Sequence, residues 1–255
     1  AHRVLGRSIG IVFLLPFLFF LITRRVDRTL SPKLIAMFVL GGLQGLLGWY
    51  MVKSGLINEP HVSQYRLTAH LGLAVVIYFY MLWVALDLLY PKIDDDAKYA
   101  NRKLAGFSLL VSFTIFFTIL SGGFVAGTRA GFAYNTFPLM GGHWIPDGLL
   151  SLSPVWRNFF DNVTTVQFDH RVLAMLLCAM VLALWGVLTR SEQVTRVRTG
   201  GHLLLAAMAL QITLGISTLL LYVPVTLATA HQAGAIVLFT ASVFLSHQLR
   251  GRTTG

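Results

Sequence analysis

His170-Arg171-Val172-Leu173-Ala174-Met175-Leu176-Leu177-Cys178-Ala179-Met180-Val181-Leu182-Ala183-Leu184-Trp185-Gly186-Val187-Leu188-Thr189-Arg190 carries no charge between its two flanking arginines. Wound as an α-helix at about 1.5 Å per residue, a run of this kind crosses a hydrocarbon layer of about 30 Å. The stretch therefore predicts a membrane span with an arginine anchored at each interface. Reading outward from it, seven such spans are predicted near residues 3–23, 33–53, 66–90, 104–127, 167–190, 201–222 and 225–248. The expected fold class is all-α: a polytopic membrane helical bundle with seven transmembrane helices in this chain.

Composition agrees. Of 255 residues, 56% are hydrophobic and only 12% charged, with a mean hydropathy of +0.71; a soluble domain carries about a quarter charged residues. The net charge of +10 raises the question of nucleic acid, and the placement of the charge answers it. Lys and Arg lie in short clusters between spans, and no basic face with interleaved aromatics is present, which excludes a nucleic-acid partner. The single cysteine, Cys178, lies within a span and permits no disulfide inside the chain. The first apolar run is long and flanked by arginines, so it reads as a span and not as a cleavable signal.

Orientation follows from the connections. Arg24, Arg25, Arg28 and Lys33 lie between the first two spans, Lys92, Lys98, Arg102 and Lys103 between the third and fourth, and Arg190, Arg196 and Arg198 between the fifth and sixth. Arg250 and Arg252 follow the seventh, whereas segment 54–65 and the turn near 223 have no basic residue, and the long 128–166 loop has only Arg129 and Arg157. The positive-inside rule puts the first set and the C-terminus inside.

The chain also echoes itself. His2-Arg3-Val4-Leu5 recurs as His170-Arg171-Val172-Leu173, Leu43-Gln44 with Gly48 as Leu210-Gln211 with Gly215, and Thr68-Ala69-His70 as Thr229-Ala230-His231. The order and near-constant spacing make spans one, two and three the counterparts of spans five, six and seven. Span four has no counterpart, so an eighth helix is expected before Ala1, giving two pseudo-symmetric four-helix halves repeated in parallel about the membrane normal. The expected division is an N-terminal half over 1–100 and a C-terminal four-helix half over 101–255.

The duplication singles out four of the eight histidines. His2, His70, His170 and His231 each begin a helix running from outside to inside, so they share one depth near the outer face. An ionisable side chain in a span marks a site with a partner. An interhelical hydrogen bond, worth about 1 kcal/mol, explains one such residue more readily than four in register. His61, His143, His202 and His247 read as interfacial polar residues. No thiolate or carboxylate accompanies the four as zinc sites usually require. Facing imidazoles in an apolar, aromatic-walled site suit the axial positions of haem iron. Arg3, Arg171 and Arg66 stand where they neutralise haem propionates or, on the plainer reading, anchor the interface. With both axial positions filled, such an iron suits electron transfer, or a haem that is itself the substrate.

Several motifs bear a family resemblance. Gly41-Gly42-Leu43-Gln44-Gly45-Leu46-Leu47-Gly48-Trp49-Tyr50-Met51-Val52-Lys53-Ser54-Gly55-Leu56, Val62-Ser63-Gln64-Tyr65-Arg66-Leu67-Thr68-Ala69-His70, Gly123-Phe124-Val125-Ala126-Gly127 with Ala130-Gly131, Tyr134-Asn135-Thr136-Phe137-Pro138-Leu139-Met140-Gly141 and Val166-Gln167-Phe168-Asp169-His170-Arg171 resemble haem A synthase over essentially the whole chain. The resemblance is to the mitochondrial and proteobacterial branch, which lacks a loop cysteine pair. It implies eight helices, and an oxidoreductase that converts a methyl of haem O to the formyl of haem A for cytochrome oxidase. It implies further that His2 and His70 hold the substrate haem, while His170 and His231 hold haem b. The family's acidic residue, one turn before the first histidine, falls upstream of Ala1, and its counterpart in the second half is the neutral Gln167. A polypeptide without that carboxylate and the first helix is expected to be inactive. The long loop is expected to act as a lid that excludes water. Oxidation is expected to proceed stepwise through an alcohol and a geminal diol that loses water.

The expected partners are haem O delivered by haem O synthase, an electron acceptor the sequence does not name, the lipid bilayer, and a second copy of the chain. The expected location is a bacterial or mitochondrial inner membrane, with the haem sites toward the periplasmic or intermembrane face. The alternatives are a di-haem b-type electron-transfer protein, for which two haems at one depth suit a transmembrane relay less well, and a haem carrier without chemistry.

Overall fold

The computed structural model describes residues 2–55, 62–90 and 102–250, with the side chains of residues 2, 3, 7 and 53–55 outside that description. Within it the chain forms α1 (His2–Ile22), α2 (Ser31–Gly55), α3 (Gln64–Leu89), α4 (Arg102–Thr128), a one-turn α5 (Asn158–Asp161), α6 (Val163–Arg190), α7 (Thr195–Leu220) and α8 (Val225–Leu249). All but α5 are long and apolar enough to cross a membrane, so the molecule is an all-α polytopic membrane bundle. Each helix satisfies its own backbone polar groups, as lipid requires.

Helices α4, α6, α7 and α8 close into a four-helix ring, each packing on the next, and α3 docks on α4 and α8. Helices α2 and α1 follow outward from α3. The centre of the ring is filled by Val111 and Ile115 of α4, Val181 and Leu184 of α6, and Val243 and Leu245 of α8, all essentially buried. Apolar burial does not by itself hold helices together in lipid, so polar and small residues do it. Ser108 and Ser112 of α4 meet Ser246 at 2.8 and 3.1 Å, and Ser112 meets Ser242 at 2.5 Å. Between α3 and α8, the hydroxyls of Tyr78 and Thr240 lie 2.7 Å apart. At the start of α3, a Cβ on Gly127 would stand 2.7 Å from the Gln64 Cα, so only glycine lets α4 cross α3 this closely.

Charges meet where α3 and α8 end. Asp87 near the end of α3 meets His247 Nε2 of α8 at 3.0 Å and also bonds Arg250, whose guanidinium lies over the Trp83 ring. His247 is thus a buried interhelical partner rather than an interfacial residue. His202 accepts from the Trp185 indole at 3.1 Å, and His143 pairs through its backbone with Met140. His61 lies outside the described residues.

Candidate functional site

The site forms at the end of the bundle where α3, α6 and α8 begin. His70 and His231 are the seventh residues of their helices and His170 the eighth, so all three lie about 10 Å along the axis from the start. Asn162 sets the start of α6: its side-chain oxygen accepts from the Thr164 and Thr165 backbone N–H groups at 3.0 and 3.3 Å, a regular N-cap.

Each of the three rings lies against a glycine of a neighbouring helix. A Cβ on Gly48 of α2 would stand 2.9 Å from Cε1 of His70, one on Gly215 of α7 2.8 Å from Cε1 of His231, and one on Gly122 of α4 3.4 Å from Cε1 of His170. The first two contacts are the same arrangement made twice, since Gly48 follows Gln44 by one turn as Gly215 follows Gln211. Gln44 Nε2 donates to the His70 carbonyl at 3.0 Å and lies 3.4 Å from His70 Nε2, while its Oε1 is buried without a partner. The His231 ring lies beside the Gln211 backbone carbonyl, its buried Nδ1 outside hydrogen-bond geometry. His170 Nδ1 is 2.7 Å from the Ser121 hydroxyl, and His170 and His231 are within electrostatic reach of each other. Among the described residues no three His, Cys, Asp or Glu side chains converge.

The long loop is tied down beside His170. Arg171 donates to the carbonyls of Tyr134 at 2.8 Å, Thr136 at 2.9 Å and, more weakly, Leu139 at 3.5 Å, and buried Gln167 adds a bond to Tyr134 at 3.1 Å. Both terminal nitrogens of Arg171 thus bond the loop, while its buried Nε has no partner within the protein. Arg66 stacks over the Tyr50 ring at 4.7 Å. The side chains of His2 and Arg3 lie outside the described residues. Asn135 extends the anchoring to α7 through the Leu219 carbonyl at 2.8 Å. Ser121 and Gly122 escape a reading of the sequence, because span four has no counterpart in the chain to flag them; the Ser121-Gly122-Gly123 triplet inside an apolar run is the one local signal.

At its other end the loop is held by Asp161. One carboxylate oxygen accepts from Gln64 Nε2 and from the Tyr65 hydroxyl, each at 2.8 Å, and the other from Arg157 Nε at 3.1 Å. Partial burial works to raise this carboxyl, but the bonds from Tyr65, Arg157 and Gln64 outweigh it and hold the group below its ordinary value. A depressed carboxylate stabilises the folded loop above the unfolded value of about 3.9 and stops doing so as pH falls through the lower folded one. Hydrogen-exchange protection of 150–162 is expected to stay flat from neutrality to about pH 4 and to fall only below it. In Asp161→Asn that acid step should vanish. A step at pH 5 or above in the unaltered chain would contradict this.

Seven apolar helices with imidazoles packed between them near one end place the molecule among multi-pass membrane proteins. The sequence comparisons narrow this. Residues 1–243 match the COX15-CtaA family, described as cytochrome oxidase assembly protein, and the chain belongs to this family, that of haem A synthase. It is 58% identical over 250 residues to "Heme A synthase" of Nitrosospira multiformis, covering 98% of this chain and 70% of the relative. It is 48% identical over 252 residues to that of Parvibaculum lavamentivorans, with 98% and 70% covered. With "Heme A synthase COX15" of Homo sapiens it shares 43% over 256 residues, 98% of this chain and 62% of the relative.

Proposed function

We propose that this chain is a haem A synthase: it oxidises a methyl group of haem O to a formyl group, giving haem A for cytochrome oxidase. The observation that carries the reading is the doubled cradle, His70 on Gly48 with Gln44 and His231 on Gly215 with Gln211. One cradle serves each half, as two separate haem positions require.

In this reading His2 and His70 take the substrate haem O, and His170 and His231 take haem b. The donor set fits: imidazoles half-buried between helices, apolar walls, and ring positions set by helix-to-helix contact. Haem b supplies a redox centre that accepts electrons singly and passes them on to an acceptor. The protein's own part is to orient and to exclude water. His70 fixes the substrate's depth, the Gln44 carboxamide lies beside the ligating edge of His70, and Arg171 and Gln167 keep the loop over the site. The methyl carbon takes oxygen from one water molecule to become the alcohol and from a second to become the geminal diol, each oxidation releasing two electrons toward the acceptor and two protons to solvent; the diol then loses water to leave the aldehyde. The basic connections put the histidine end at the periplasmic or intermembrane face, and haem O arrives from haem O synthase through the membrane.

The test is extraction of haem after the full-length protein is incubated with haem O and an electron acceptor. Hydroxymethyl and formyl haem are expected. Unchanged haem from both halves would overturn the enzyme reading in favour of a carrier, and two non-exchanging haems that merely cycle between oxidation states would do so in favour of an electron-transfer protein.

A further inference from the structure

The Ser121 hydroxyl touches two groups. It lies 2.8 Å from the Thr118 carbonyl of its own helix and 2.7 Å from Nδ1 of His170 on α6. A hydroxyl has one proton to give, and a carbonyl oxygen only accepts. Both contacts are hydrogen bonds at once only when the Ser121 proton goes to Thr118 and the contact with His170 runs the other way, Nδ1–H donating and Oγ accepting. A neutral imidazole protonated at Nδ1 keeps its lone pair on Nε2. The next residue, Gly122, leaves the flat space into which the same ring fits, so α4 offers a polar anchor and a steric slot side by side. His231 has the slot at Gly215 and, in place of a hydroxyl, the Gln211 backbone carbonyl beside its ring.

We propose that Ser121 is a positioning residue of the second-half haem site: through the Thr118–Ser121–His170 chain it selects the Nδ1–H form of His170, fixes the ring's rotation and presents Nε2 to iron. The two ligands of that site are thereby held differently, His170 by a hydroxyl and His231 beside a backbone carbonyl. An acceptor on Nδ1–H also makes the imidazole a stronger donor, which favours ferric iron and lowers the midpoint potential. The inference rests on the reading that His170 and His231 hold the resident haem.

The experiment uses the haem-loaded full-length protein and the variants Ser121→Ala, Ser121→Thr and His170→Ala, read by haem content, haem dissociation, midpoint potential and the electron-spin-resonance g values of the low-spin signal. Ser121→Ala should bind the resident haem about 10- to 100-fold more weakly, with the potential shifted upward and the g values displaced. Ser121→Thr, which restores the hydroxyl, should return all three toward the parent. If Ser121→Ala leaves potential and affinity unchanged while His170→Ala loses its haem, the role of Ser121 is overturned and the site stands. A Thr variant that behaves like the Ala variant would also overturn it, since packing and not the hydroxyl would then matter. If His170→Ala keeps a full complement of haem with an unchanged signal, the ligand reading itself fails.

Discussion

Alanine at His170 in the full-length protein removes one haem per chain and its low-spin signal, and alanine at His231 does the same. In the proposed reading each residue would supply one bond to the iron of the resident haem, while His70, held against α2, would serve the other half. The haem that leaves takes with it the stability its binding confers, about 3–4 kcal/mol where ligand exceeds its dissociation constant 100- to 1,000-fold. A thermal melt should therefore fall together with haem content. His70→Ala behaves differently. It should keep the resident haem and the stability tied to it, yet form no formyl haem. Pyridine haemochrome assay beside product extraction separates the two classes. Equal loss of both haems in all three variants would break the division between the halves.

The second large effect is expected from a single methyl group. Gly215→Ala places a Cβ 2.8 Å from Cε1 of His231, well inside van der Waals contact, and the ring must turn or α7 must retreat. Overpacking of this kind costs about 1–3 kcal/mol. Here the strain falls on a ligand, so resident-haem affinity should drop about 10-fold or more, at 1.4 kcal/mol per decade. Gly48→Ala is the matching change for His70, at 2.9 Å, and should impair turnover of haem O while sparing the resident haem. Gly186→Ala, where nothing lies within 4 Å of the added carbon, is the control and should bind haem normally. Titration of haem into the haem-depleted protein measures all three. Normal affinity in Gly215→Ala would show that the cradle does not constrain the ring.

Some of the site was therefore legible before any fold was known, and some was not. The seven spans could be read because lipid imposes length and apolarity on every helix independently of its neighbours, and the structure places α1–α4 and α6–α8 over the expected segments. The four histidines stood out because duplication preserved His-Arg-Val-Leu and Thr-Ala-His in order. Gly48 and Gly215 were visible as matching letters without a reason. Their purpose appears only when α2 meets α3 and α7 meets α8, since ring contact depends on each helix's rotation and crossing, which hydropathy does not encode.

Arg171 shows the same limit. Its place beside His170 was evident, but its bonds to the loop carbonyls depend on how 134–139 folds back, which only the tertiary structure shows. Ser121 lies deeper still, because a serine bonding its own helix looks alike in any span. Its meaning comes from a histidine 49 positions along the chain. Sequence alone determined which segments cross the membrane and which imidazoles repeat, for these follow from local chemistry and ancestry. The tertiary structure decided which small and polar residues hold those imidazoles, because that is a matter of contact between helices.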